Sequence, residues 1–324
     1  MMITPGSAIL ATLRQKFGER LQTEVELSRY TAARVGGPAE MLLEAKSARE
    51  LRAMVTVLWE LEQPFLILGG GSNVLVADAG VRGVVLLNRA RRVRFSDHGS
   101  CPSVWAESGA NFGLLARQAA ARGLSGLEWA AGIPGTLGGA VVGNAGAFGA
   151  ELATNLVVAE ILHRMPVMEA MDQPAVRREK WTAERFAYSY RSSVLKTGAD
   201  MAVVLSAKLA LERSTVEAVQ ARMDAHTTIR HRTQPPGAST GSMFKNPPGD
   251  YAGRLIDAAG LKGTQIGGVQ ISPLHGNFFI NVERASASDY YRLVRLAQDT
   301  VHEKFGVDLE LEIQLVGDWQ VGEG

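Results

Sequence analysis

The stretch Pro64-Phe65-Leu66-Ile67-Leu68-Gly69-Gly70-Gly71-Ser72-Asn73-Val74-Leu75-Val76 decides how the chain is read. Phe65 to Leu68 is a short apolar run behind a proline, the pattern of a buried strand. Three glycines, a serine and an asparagine follow, and Val74-Leu75-Val76 resumes as a strand. Without Cβ atoms in the way, successive backbone N–H groups can converge on an anion, and Ser72 and Asn73 add side-chain donors. The loop is a candidate nest for a pyrophosphate. It lacks the G-x-G-x-x-G spacing ahead of a helix, which disfavours a Rossmann site, and no Gly-Lys-Ser or Gly-Lys-Thr follows, which excludes a Walker loop.

A second cluster runs Gly132-Ile133-Pro134-Gly135-Thr136-Leu137-Gly138-Gly139-Ala140 and on through Gly143-Asn144-Ala145-Gly146-Ala147-Phe148-Gly149. Its density of small residues points to something flat or extended lying against the backbone, with tight turns as the competing explanation. Two such loops fit the two ends of a long cofactor such as FAD. The 35 glycines of the chain thus gather in clusters, a third at Gly260 to Gly268, instead of spreading as in a linker.

Outward from these loops, short elements alternate. Ser7 to Leu21 and Ser47 to Leu61 have helical periodicity, and Ser47 with Glu50 makes a capping-box pattern. Val84 to Leu87, Ser103 to Ala106, Leu156 to Arg164 and Met201 to Leu211 read as strands, and Asn111 to Arg122 as an amphipathic helix. Asp172 to Arg185 is polar and reads as surface. Ser214 is the expected cap of a helix through Thr228, with a domain boundary beside it. Gln234 to Thr240 reads as a loop, Gly253 to Ala259 as a helix start, Asn277 to Asn281 as a strand, Ser286 to Phe305 as a helix and Leu309 to Val316 as a strand. Such alternation indicates an α+β or α/β protein.

Composition bounds the function. A chain of 324 residues divides into about two or three compact units. At 46% hydrophobic and 21% charged it is an ordinary globular protein. A net charge of +1 gives no global attraction to nucleic acid or to an anionic membrane, so an anionic ligand must be held by local groups. A single cysteine, Cys101, excludes an internal disulfide framework. No run approaches the ~20 apolar residues of a spanning helix, and Met1 to Gly18 has no long apolar core, so a cytoplasmic protein is expected. The six histidines and the acids show no metal-ligand spacing, so no metal is expected.

Several stretches together resemble the UDP-N-acetylenolpyruvoylglucosamine reductases. These are Tyr30-Thr31-Ala32-Ala33-Arg34-Val35-Gly36-Gly37-Pro38-Ala39, Leu68 to Leu75, Gly126 to Thr136, Tyr190-Arg191-Ser192-Ser193, Gly241-Ser242-Met243-Phe244-Lys245-Asn246-Pro247, Ala252 to Gly268, and Leu309-Glu310-Leu311-Glu312. They occur in the family's order over nearly the whole chain. The resemblance implies an α+β protein with a vanillyl-alcohol-oxidase-type (PCMH-type) FAD-binding domain of two lobes, residues 1–213 divided near 80–90. A C-terminal α+β substrate-binding domain, 214–318, and a tail, 319–324, complete it. It implies non-covalent FAD, NADPH as co-substrate, and reduction of UDP-N-acetylglucosamine enolpyruvate to UDP-N-acetylmuramate in peptidoglycan precursor synthesis. A monomer without nucleic-acid partner or membrane insertion is expected. The interval between Arg191 and Ser242 is too short for an inserted tyrosine-bearing loop, so the chain resembles the family's shorter form.

Site residues carried over by the resemblance fall into three groups. Ser242 is the proton donor, and Arg191 with Glu312 stabilises the charge that develops on the substrate carboxylate. An arginine binds a carboxylate through two parallel hydrogen bonds, and a protonated glutamate donates one more. The sequence Leu309-Glu310-Leu311-Glu312-Ile313-Gln314 departs from the family's Leu-Glu-Pro-Glu-Val-Arg, and alternation puts both glutamates on one face, so Glu310 and Glu312 both remain candidates. The flavin is expected against Gly69, Gly70, Gly71, Ser72, Asn73, Val74, Leu75, Pro134, Gly135, Gly138, Gly139, Asn144, Gly146 and Arg230. The UDP-sugar is expected against Tyr190, Lys245, Asn246 and His275. Two other readings are a flavin-dependent sugar or alcohol oxidase of the same fold and a non-catalytic UDP-sugar-binding regulator. No histidine before His98 can tether the flavin as in many such oxidases, and the retained Arg191, Ser242 and Glu312 argue against a regulator.

Overall fold

The computed structural model describes residues 5–97, 101–165, 176–198 and 201–319. Parts of the expected tail (320–324), of the first domain (1–4) and of the polar segment (172–175) lie outside the described residues. The first layer is a four-stranded sheet in the order Gln22–Glu26, Pro38–Ala45, Val81–Asn88, Phe65–Leu68. Pro38–Ala45 and Phe65–Leu68 both run parallel to Val81–Asn88. A strand flanked on both sides and covered on its faces is apolar nearly throughout, as Val84-Val85-Leu86-Leu87 is.

Helix Ala48–Glu60 makes the crossover between Pro38–Ala45 and Phe65–Leu68. Its buried residues, Leu51, Met54, Val55, Leu58 and Trp59, follow the spacing of one helical face. Ser47 caps it by accepting from the Glu50 N–H at 3.2 Å. Glu50 does not complete a capping box: its carboxylate accepts from the Lys46 N–H at 2.9 Å, one residue earlier than the box requires.

The second sheet is antiparallel, in the order Val176–Trp181, Leu156–Arg164, Ala202–Ala210, Ser103–Glu107, Val93–Ser96. Val176–Trp181 falls in the segment read as polar surface. It is both polar and a strand, because it is the edge of the sheet and charged residues protect an edge from further pairing.

The C-terminal part has a three-stranded sheet, Gln265–Ile266, Val269–Ile271 and Phe279–Asn281, packed with helices Ala252–Ala258 and Ala287–Phe305. Its core also takes in Ala33 and Val35, from the connection between the first two strands, and Leu75, from the strand after the first glycine loop. Helix Val216–Thr233 leans the other way, setting Val219 and Met223 against Ala120 and Ala131. Its cap is Thr215, not Ser214, and it runs five residues past Thr228. The Ser214 N–H instead joins the Gly123 carbonyl, which extends the sheet contact of the preceding residues.

The largest departure is at Leu309–Val316. Only Gln314–Val316 is a strand, parallel to Val74–Val76. Before it the backbone changes partners: Lys245 N–H donates to the Glu310 carbonyl at 2.8 Å, Glu312 N–H to Met243 at 2.9 Å, and Gln314 N–H to Asn73 at 2.9 Å. A segment that exchanges one neighbour for another within four residues cannot keep a regular ladder.

Helix Ala287–Phe305 is held by a true capping box, Ser286 with Asp289. The Asp289 carboxylate also accepts from Gly268 N–H at 3.2 Å. Burial favours the neutral acid, but the N–H of Ser286, the Arg292 guanidinium and the N–H of Gly268 outweigh it and hold the pKa below the ordinary aspartate value. Asp289→Ala should therefore cost about 1–2 kcal/mol at neutral pH, read as a lower urea midpoint. A depressed folded-state pKa contributes stability above the unfolded value and loses it as the pH falls through the folded one. The gap between variant and wild type should accordingly narrow in acid below the aspartate range.

Candidate active site

A cavity of about 1210 Å³ lies where the two sheets and the C-terminal part meet. Residues 69–74, Gly132 to Thr136, Arg191, Arg230, Ser242 and Glu312 all line it. It continues along Phe65, Leu66 and Ile67 to Arg164 and Met201. Phe65–Leu68 is thus only partly the buried strand that its sequence suggests, since just Leu68 is withdrawn from solvent. The volume is ample for a dinucleotide together with a second ligand.

The two glycine loops touch each other. A Cβ on Gly70 would stand 2.8 Å from the Cα of Gly135. Glycine here permits loop–loop contact first. Glycine facing the cavity is found further on: a Cβ on Gly143 would meet nothing within 4 Å. The side-chain donors expected for a ligand are engaged within the protein. Ser72 Oγ donates to the Pro134 carbonyl at 3.3 Å, and Asn73 Nδ2 donates to the Glu312 carbonyl at 3.2 Å. Backbone groups are what the first loop offers to an anion.

Arg230 comes from the last turns of helix Val216–Thr233 and reaches the cavity beside Gly132. Burial draws its pKa below the ordinary arginine value. Among the described residues it has no carboxylate partner. A desolvated guanidinium without counter-charge, next to a glycine-lined cavity, suits an anionic cofactor.

Arg191 occupies a two-residue turn closed by reciprocal backbone bonds between Ser189 and Ser192, and its φ is +56°. That left-handed conformation costs a non-glycine residue about 1–2 kcal/mol, so the surroundings must hold it. Its Nε donates to Glu312 Oε1 at 2.9 Å and its Nη2 to the Gly146 carbonyl at 2.8 Å. Burial raises the Glu312 pKa, opposed by Arg191, Lys196 and Lys245. Lys196, for which the sequence carried no signal, donates to the Arg191 carbonyl at 3.0 Å and the Glu312 carbonyl at 3.3 Å. Between the two glutamates, Glu312 is the one that meets Arg191. Glu310 is 72% exposed and pairs with Lys245 outside the cavity.

Ser242 lines the cavity on a rigid base. Met243 and Phe244 behind it are wholly buried, and the Asn277 side chain takes the Phe244 N–H at 2.9 Å and donates to the Phe244 carbonyl at 2.8 Å. The Ser242 hydroxyl has no hydrogen-bond partner among the described residues, so it is not the backbone-bonded turn serine that its loop setting would otherwise suggest. Thr240 and Gln314 also line the cavity and went unmarked in the sequence.

Six expected residues stand back from this lining. Leu75 is in the core. Asn144 is fully buried, accepting from Ala153 N–H and donating to the Ser189 carbonyl, and so supports the arginine turn from behind. Asn246 accepts from the Ala252 N–H. His275 accepts from the Asn277 N–H at Nδ1, and burial, then the Lys262 charge, lowers its pKa. Lys245 is occupied with Glu310, and Tyr190 is half-exposed beneath the Arg191 guanidinium.

Known proteins resemble this chain over most of its length. Residues 232–316 match the family model described as the UDP-N-acetylenolpyruvoylglucosamine reductase C-terminal domain, and residues 39–170 match an FAD binding domain. The chain is 42% identical over 301 residues to the UDP-N-acetylenolpyruvoylglucosamine reductase of Chloroflexus aggregans, covering 91% of this chain and 97% of that one. It is 43% identical over 294 residues to the one of Rubrobacter xylanophilus, covering 90% and 94%. The crystal structure of the UDP-N-acetylenolpyruvylglucosamine reductase from Thermus caldophilus superposes with a TM-score of 0.76 at 36% identity, covering 92% of this chain and 99% of that chain.

The two kinds of glycine can be separated by experiment. Gly70→Ala drives the loops apart and should lower both the melting temperature of the flavin-free protein and the flavin retained. Gly143 is the last residue of helix Leu137–Gly143, so Gly143→Ala ends that helix with a better helix former and should keep or raise that melting temperature, while its methyl group weakens flavin retention. Thermal melts and the flavin-to-protein absorbance ratio give both readings.

Proposed function

The chain belongs to the UDP-N-acetylenolpyruvoylglucosamine reductase family, and on that premise we propose that it reduces UDP-N-acetylglucosamine enolpyruvate to UDP-N-acetylmuramate with bound FAD and NADPH. The fold is α+β, with an FAD-binding part of vanillyl-alcohol-oxidase type. We assign 1–213 to flavin binding in two lobes and 214–318 to substrate binding. The reaction takes place in the cytoplasm, as a step of cell-wall precursor synthesis on which cell shape, division and the cell cycle depend. The enzyme acts as a monomer.

The cavity fits a non-covalent FAD through its volume, its open glycine at 143 and the cation of Arg230, which has no carboxylate partner among the described residues. Bound there, FAD supplies hydride transfer from NADPH to the vinyl carbon. The protein's own task is to hold the substrate carboxylate, absorb the charge that develops on it, and deliver a proton to the carbon that bears it. Arg191 holds the carboxylate and offsets its charge. An arriving carboxylate adds a like charge beside Glu312, whose pKa burial already raises, and so favours the neutral acid that donates a further hydrogen bond. Ser242 delivers the proton. Serine is a weak acid, but its hydroxyl is small, has no competing partner among the described residues and faces an intermediate of enolate character, which is strongly basic. Lys245 and Tyr190 serve the UDP-sugar at the rim, while Asn246 and His275 hold the loops that present it.

The observation that carries this reading is that Arg191, Ser242 and Glu312, far apart in the chain, line one cavity with both glycine loops. Purified protein should be yellow and should bleach with NADPH under anaerobic conditions. The enolpyruvyl UDP-sugar should then restore the oxidised spectrum. Rapid reoxidation by oxygen or a sugar alcohol, with none by the enolpyruvyl substrate, would overturn the assignment. Ser242→Ala should leave bleaching nearly intact and slow reoxidation by about 10²–10⁴-fold, the range of a lost general acid. Equal loss in both half-reactions would remove Ser242 from that role.

A further inference from the structure

Arg191 poses a physical problem that its own contacts do not solve. Its backbone is left-handed, where a side chain is strained, and its guanidinium must meet a carboxylate carried by a segment 121 residues away. Side-chain bonds to Glu312 and Gly146 fix the tip of the arginine but not the main chain that bears it. Lys196 acts on the main chain. Its ammonium joins the Arg191 carbonyl at 3.0 Å to the Glu312 carbonyl at 3.3 Å, so one group ties the backbones of both charge-stabilising residues together.

The choice of a lysine for this position is informative. A half-buried ammonium is costly without a paired carboxylate. Among the described residues no carboxylate lies within ion-pair distance of Lys196: Glu312 pairs with Arg191 and Glu310 with Lys245. Lys196 also lines the cavity. A neutral donor would suffice to bridge two carbonyls. Burial and then the Lys245 charge lower the Lys196 pKa, opposed by Glu312 and Glu310, and the ammonium in turn lowers the pKa of Glu312, so a charge placed here acts on that carboxyl.

We infer that Lys196 is a positioning residue for the reduction: it locks the left-handed backbone of Arg191 to the main chain of Glu312 and sets the field in which that carboxyl titrates. This inference rests on the reductase reading given above. The charged groups facing Glu312 are Arg191 and Lys196 from the turn segment and Lys245 from the segment after Ser242; Glu310, two residues earlier in its own segment, faces Lys196 and Lys245, and Asn73, from the glycine loop, is neutral. Burial raises the Glu312 pKa, and the three cations counter it. Removing Lys196 takes away one of them, so the Glu312 pKa rises further and its proton is held to higher pH.

The test compares wild type with Lys196→Met and Lys196→Arg in the FAD-loaded enzyme, following the two half-reactions separately by anaerobic stopped flow across a pH series. In Lys196→Met, reoxidation by the enolpyruvyl UDP-sugar should slow by roughly ten- to a hundredfold, the scale of a small misplacement of reacting groups. The alkaline limb of that half-reaction, where Glu312 loses its proton, should move to higher pH. Lys196→Arg should recover most of the rate and the wild-type limb. A crystal structure of Lys196→Met without substrate should show the Arg191–Glu312 contact displaced. The inference is overturned if Lys196→Met keeps the wild-type reoxidation rate and limb. It is equally overturned if both half-reactions fall alike, with no shift of the limb and no recovery in Lys196→Arg, which is the signature of a structural tie alone. A wild-type enzyme that the enolpyruvyl substrate does not reoxidise is a separate outcome, which sinks the reductase reading and Lys196's role with it.

Discussion

Residues 310–316 must satisfy their backbone groups with two different neighbours, and the site depends on how they do so. Glu310 and Glu312 bond to the main chain around Ser242, and Gln314 bonds to Asn73 of the glycine loop. The Asn73 side chain closes the exchange by donating to the Glu312 carbonyl. A buried peptide group left without a partner is costly, so this threading admits little slack. It delivers Glu312 to the junction of the flavin loop, the serine segment and the arginine turn. The parallel pairing of Gln314–Val316 with Val74–Val76 then anchors the end of the segment to the strand that follows the first glycine loop.

This threading explains which parts of the site were legible in the sequence. Glycine announces itself, because its use is a local conformational one: the first glycine loop stands where it was read, whereas the second cluster is a loop only as far as Thr136 and then continues as helix Leu137–Gly143. The helix over 287–305 was equally plain, since periodicity and cap act within one turn. Periodicity gave no choice between Glu310 and Glu312 because it assumed a strand where the chain is changing partners. Once placed, the two differ sharply: one is exposed beside Lys245, the other sits inside against Arg191. The engagement of Ser72 and Asn73 was hidden for a related reason. Their acceptors lie 62 and 239 residues away, and no local pattern encodes such a bond.

Polar residues read as ligand contacts followed a different rule. Asn144 and His275 sit where the backbone is irregular, and side chains of that kind often complete the main chain's own hydrogen bonds. Asn144 accepts from Ala153 and supports Ser189, so its effect on the site passes through the turn that carries Arg191. His275 receives the N–H of Asn277, the residue that braces the segment after Ser242. Both stand one layer behind residues that line the cavity. Resemblance to a family transfers a position well, but whether the side chain there touches a ligand or holds the loop is decided by long-range packing.

The charge around the site resolves an apparent mismatch with composition. A chain with net charge +1 has no long-range field to gather a substrate bearing a carboxylate and a diphosphate. Locally the balance differs. Arg191, Lys196, Lys245 and Arg230 lie in or beside the cavity, against Glu310 and Glu312. Glu310 is exposed, so its pairing with Lys245 is screened and weak. Glu312 is buried, which favours its neutral form. An incoming anion therefore meets an excess of positive charge whose size depends on the proton of Glu312. Under the proposed assignment, that coupling lets one carboxyl both complete the ligand-free site, as the partner of Arg191, and yield its place to a substrate carboxylate when the substrate arrives.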